Sequence, residues 1–331
     1  MAKRRRSSKA LFPQRFSSEI TRWRDGDTTK PDPLFILIIN NSALERPLGG
    51  STNFIPDMCT SDDRAPFNKA AEYINMNLFG ELPDQAENLL AASPDCSKIK
   101  LWSMYIEGLK PSSTTSLVQE YPPYSTDRFL KPRRSAVVDM LANIGMNPDV
   151  VFVVSKSSDT TVASALGATD DDDRGGLPAT FDGRTIYHRF YHKIPGMVAI
   201  HAKPDDMTPA HEFSHAFSSY SNGFVTDLYR DHDLYCHGTI VLNRKVGRPI
   251  PDNFAEYQNT IYLSDKTRDH LPGGYRNMRS YHSELVDPNN PALRPALMDD
   301  YRKARPPMSS LHDKMTKAYI MDRIAAKVRR R

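Results

Sequence analysis

Leu34-Phe35-Ile36-Leu37-Ile38-Ile39-Asn40 is an unbroken apolar run of strand length, closed by the pair Asn40-Asn41. A half-exposed strand alternates apolar and polar residues, whereas a run that is apolar at every position must be covered on both faces. This stretch therefore predicts a strand inside a layered, mixed sheet. Downstream, after a polar loop, Pro66 opens a helix that sets Phe67, Ala70, Ala71, Ile74 and Leu78 on one face, and Gly80 closes it. Residues 100–107 read as another strand, 135–144 as a helix and 150–154 as a second buried strand. Strands alternating with helices indicate an α/β body.

Farther on, 185–192 and 197–202 read as two strands, with His188 and His192 in the first as surface or packing groups. Between them and the second buried strand, Asp170-Asp171-Asp172-Asp173 lacks the alternating ligand spacing of an EF-hand loop and reads as a solvated turn. Residues 310–331 place Leu311, Met315, Ala318, Tyr319, Ile324 and Val328 at helical intervals, and the basic end suits the helix dipole.

Composition narrows the class. The net charge of +4 lies mostly in Lys3-Arg4-Arg5-Arg6 and Arg329-Arg330-Arg331, so the body is close to neutral and nothing in its balance calls for a nucleic-acid partner. Cys59, Cys96 and Cys236 are odd in number and far apart, which argues against a disulfide framework and against a thiolate metal site. No stretch reaches the roughly 20 apolar residues of a membrane span, and no signal peptide is evident, so a soluble cytoplasmic protein without a membrane partner is expected.

The chemistry is concentrated in His211-Glu212-Phe213-Ser214-His215. Two histidines four residues apart on a helix share a face and can grip one metal ion, and the glutamate after the first is placed to take a proton from a metal-bound water. Thr208 suits the N-cap and Pro209 the first turn. Ala210, Phe213, Ala216 and Phe217 continue the helical spacing to about Tyr220, and Gly223 offers a stop. Zinc is the expected cofactor and a peptide bond its expected target. A catalytic zinc needs a third protein ligand, for which Asp227, His232, Asp233, His237 and Glu256 qualify by type. Tyr229, Tyr301 and His237 qualify as oxyanion donors, a role left unassigned.

The segment Asn222-Gly223-Phe224-Val225-Thr226-Asp227-Leu228-Tyr229 that follows the motif resembles the bacterial immunoglobulin A metallopeptidase family of zincins. There HExxH continues to a Gly-Leu-Ala-Asp-Glu-Tyr-like stretch. The resemblance implies a zincin-like, metzincin-like α/β fold and a zinc metallopeptidase. It implies His211, His215 and Asp227 as metal ligands and Glu212 as the catalytic base. The spacing from His215 to Asp227 is longer than in that family. Glu256, in Phe254-Ala255-Glu256, is the alternative third ligand, because other zincins carry a glutamate on a second helix in such a setting. Leu297-Met298 looks like the methionine turn that metzincins place beneath the metal. The likeness covers the order of elements from about 145 to 320 and is specific only at 208–229.

These readings divide the chain into a basic flexible tail at 1–30, an N-terminal α/β part at 31–165 and a zinc-binding catalytic part at 166–331 that continues the same domain. The alternative to a peptidase is a zincin-fold binding or structural protein without turnover.

Overall fold

The computed structural model describes residues 17–26, 34–48, 51–80, 88–91, 93–121, 128–156, 161–168, 180–181, 184–185, 194–203, 207–217, 297–298, 317, 320–321, 323–325 and 327–328. Along the chain, β1 (Ser17–Asp25) and β2 (Leu34–Asn40) precede β3 (Ala43–Leu48), β4 (Ser51–Pro56) and helix α1 (Arg64–Phe79). Next come β5 (Ile99–Glu107), β6 (Val118–Tyr121), β7 (Arg128–Pro132), helix α2 (Arg134–Ile144) and β8 (Val150–Ser155). Short strands β9 (Thr161–Val162), β10 (Ser164–Leu166), β11 (Thr180–Phe181) and β12 (Arg184–Thr185) lead to β13 (Gly196–His201) and helix α3 (Thr208–Phe217).

The main sheet has the order β1-β5-β2-β8-β13-β10. Its four inner strands are parallel, and β1 and β10 close the edges antiparallel. This placement explains the apolar runs: every residue of β2, β8 and β13 is buried, because helices or a second sheet cover both faces. Leu34, Ile36 and Ile38 point into a core shared with α1, α3 and the C-terminal residues Ile320, Ile324 and Val328. Phe35, Leu37 and Ile39 point into a second core with α2 and with Leu44, Val118 and Leu130 of the other sheet. That sheet has the order β4-β3-β6-β7-β9 and is also mixed. The protein is thus an α/β protein built on two mixed sheets.

The helices follow their sequence signals closely. The first begins at Arg64, so Pro66 sits within the first turn, where a backbone N–H has no helical partner to lose. Gly80 closes it in the left-handed conformation, φ 78°, and donates its N–H to Met76 O. Lys317, Ile320, Met321, Arg323, Ile324, Ala325, Lys327 and Val328 are helical, with Ile320, Ile324 and Val328 buried at four-residue intervals, as an amphipathic segment requires.

Two expectations are corrected and a third is met only at its first residue. Residues 17–25, placed in a flexible tail, form the edge strand β1, which pairs with β5 and anchors Trp23 by its indole N–H to Ser103 Oγ at 2.9 Å. An edge strand is wet on one side, and β1 is mostly exposed, so its charges hid it. The polar loop ahead of Pro66 contains the strands β3 and β4, which pair with each other and join the rest of their sheet through β3 and β6; Glu45, Arg46 and Pro47 disguise them in the sequence. Of the strand expected at 185–192, Thr185 belongs to β12, paired with β11, while 186–193 lie outside the described residues. Among the described residues no helix is long and apolar enough to cross a membrane.

Candidate metal centre

Helix α3 packs against β13, β10, β8 and α1 on the first core's side of the main sheet. Its apolar residues Ala210, Phe213, Ala216 and Phe217 are all buried, and Phe213 stacks on Phe217 at 5.2 Å between centroids. Close seating depends on Gly196 at the start of β13. A Cβ there would stand 1.9 Å from the carbonyl oxygen of Ala216, so only glycine lets helix and strand backbones approach this far. The Ala216 carbonyl accepts the N–H of Ala168, and the Phe217 carbonyl accepts from Arg323 Nε at 2.8 Å, so two C-terminal carbonyls of the helix are satisfied from outside it.

The helix start lies one residue earlier than the sequence suggests. His211 donates its backbone N–H to Met207 O at 2.9 Å, which puts Met207 at the cap and Thr208 at the first helical position. The N–H of Ala210, which has no partner within the helix, is taken by the side-chain oxygen of Asn77 on α1 at 2.9 Å. A carboxamide from a neighbouring helix therefore does the work expected of Thr208. The expected run to Tyr220 and the stop at Gly223 lie outside the described residues beyond Phe217.

The two histidines converge as their spacing requires. His211 is 2% and His215 9% exposed, their rings stand nearly perpendicular, and the two Nε2 atoms are 3.3 Å apart. His211 Nδ1 lies 2.8 Å from the carbonyl oxygen of Leu297. A carbonyl only accepts, so Nδ1 carries a proton, which leaves Nε2, the nitrogen facing His215, as the ring's site for a lone pair. That is the arrangement of a metal-binding imidazole, whose other nitrogen is held by an acceptor that fixes tautomer and ring orientation. The separation fits as well, since two nitrogens at about 2.0–2.1 Å from a tetrahedral zinc lie about 3.3 Å from each other. Glu212, 4% exposed, is buried beside them.

Leu297 and Met298 form a turn, 1% and 2% exposed, in the same core as the apolar face of α3. The structure thus brings the Leu297-Met298 turn and helix α3 together from distant parts of the chain. Asp227, Tyr229, His232, Asp233, His237, Glu256 and Tyr301 lie outside the described residues, and among the described residues no group of three or more His, Cys, Asp or Glu side chains is set to hold a metal. Asn77, Gly196, Arg323 and the Leu297 carbonyl went unread in the sequence. Of these, only Gly196, at the head of an apolar strand, carried a visible signal.

No family model matches this sequence, and no curated protein and no solved structure matches it.

Proposed function

We propose that the protein is a zinc-dependent peptidase of zincin type. The observation that carries this reading is the 3.3 Å approach of two buried imidazole Nε2 atoms, with the tautomer of His211 fixed by the Leu297 carbonyl. His211 and His215 are two of the ligands. Asp227 completes the set on the resemblance of its segment, with Glu256 as the alternative. When bound, zinc supplies Lewis acidity that polarises a carbonyl and brings the pKa of a coordinated water to about 7. Glu212 acts as general base, accepting the proton of the attacking water and returning it to the departing amine. Burial of Glu212, His211 and His215 keeps bulk water away, which strengthens each charge interaction the reaction uses.

The test is metal content and peptide hydrolysis on the same preparations. Wild type should hold about one zinc per chain and cleave an unstructured protein substrate. Glu212→Gln should keep the metal and lose activity by a factor on the order of 10² to 10⁴. Asp227→Ala and Glu256→Ala, compared side by side, should lose zinc in one case only. Metal without hydrolysis on any peptide substrate would instead favour a zincin-fold binding protein.

A further inference from the structure

Resting on that metal reading, we infer that Asn77 is a positioning residue for the metal ligands, acting from α1 on the first turn of the HExxH helix. Its side-chain oxygen accepts the N–H of Ala210, the residue immediately before His211, at 2.9 Å. Its side-chain nitrogen points at Met207 Sδ, 3.5 Å away, on the residue whose carbonyl takes the backbone N–H of His211. One carboxamide therefore grips both sides of the turn from which the first ligand projects.

Asn77 is itself held. It is 1% exposed, and its backbone carbonyl accepts from Asn88 Nδ2 at 2.6 Å, while the same nitrogen reaches Met76 O at 3.0 Å. Asn88 is fully buried. Because the grip sits in the core, its direction is fixed by packing rather than by a solvent-exposed rotamer. His211 is thereby clamped at two points: its backbone through Asn77 and Met207, and its ring through the Leu297 carbonyl. A pair of nitrogens 3.3 Å apart tolerates little slack, since a shift of a few tenths of an ångström at the first turn is carried by the rigid ring to the metal position.

The measurement is affinity for Co²⁺, read by chelator competition and by the visible absorption of the bound ion, on the full chain. Asn77→Leu fills the same space without an acceptor and should weaken binding about tenfold and alter the absorption band. Asn77→Asp keeps an acceptor oxygen and should stay within about threefold of wild type, with a favourable helix-dipole contact. Leu78→Ala, the next residue along and fully buried in the same core, should lower the melting temperature while leaving affinity unchanged. If Asn77→Leu does not fold, Asn77→Ser, whose hydroxyl is too short to reach Ala210, carries the same expectation. Wild-type affinity in Asn77→Leu, or an equal loss in Leu78→Ala, would overturn the positioning role. A wild type that binds neither Co²⁺ nor Zn²⁺ would instead overturn the metal reading itself, before any variant is compared.

Discussion

Two of the buried polar clusters among the described residues are built on opposite plans. The first ties the carboxyl ends of β2 and β8 to the segment after β4. Asp57 accepts hydrogen bonds from Ser155 Oγ at 2.6 Å, from the Lys156 backbone N–H at 2.6 Å and from Asn41 Nδ2 at 2.8 Å. Beside it, Asp63 accepts from Lys156 Nζ, from the backbone N–H groups of Cys59 and Thr60, and from the Thr60 hydroxyl. Each of these two acceptors meets donors of its own chain, so the network is closed and structural. The second cluster is the histidine pair, where two ring nitrogens face one another and the Leu297 carbonyl lies against the far nitrogen of His211. A network closed by its own donors fastens strands, whereas under the proposed function the nitrogens of the histidine pair would exchange their mutual contact for a shared metal ion.

The largest effect should separate the clusters outright. His211→Ala should abolish stoichiometric zinc, whereas Asp57→Asn should leave it intact; elemental analysis of both variants decides, and loss of zinc in Asp57→Asn would break the contrast. Next in size is Gly196→Ala, which places a methyl 1.9 Å from a helix carbonyl. It should destabilise the fold by about 3 kcal/mol in urea titration and, by displacing α3, weaken metal binding as well.

The closed cluster should announce itself through pH. Burial pushes the Asp57 carboxyl up to about 6, with Asp63 adding to the rise and the donors of Ser155, Lys156 and Asn41 opposing it. The folded state therefore holds the proton more tightly than the unfolded chain. The ionised group costs stability above pH 6, and the cost is relieved as pH falls through 6 toward 4. Measured against Asp57→Asn, wild-type stability should gain about 2 kcal/mol between pH 7 and pH 4. A flat difference would mean that Asp57 is not a strained acid. The smallest effect is expected for Arg323→Met, which removes a hydrogen bond to the Phe217 carbonyl and a cation held 5.3 Å from the Phe217 ring centroid. A loss of about 1 kcal/mol with unchanged metal content would mark that contact as a fastening of α3 rather than part of the site.

Much of the fold was legible because it is written in local pattern. The runs at 34–40 and 150–154 announced buried strands, since only a sheet covered on both faces calls for apolar residues at every position. Gly80 announced a helix end, since a left-handed closing position favours the residue that has no Cβ to clash. The edge strand β1 was not legible because its partner β5 lies far along the chain and its exposed residues dilute the period, while β3 and β4, which pair as neighbours, lack an alternating pattern across Glu45, Arg46 and Pro47. Within the site, the sequence by itself determined that His211 and His215 share a helical face, a consequence of 3.6 residues per turn. Tertiary structure alone decided that the carbonyl of Leu297 fixes the ring of His211, that Asn77 and not Thr208 receives the N–H of Ala210, and that Gly196 admits the helix. Each of those contacts joins residues well separated in the sequence, and no local periodicity encodes which of them will meet.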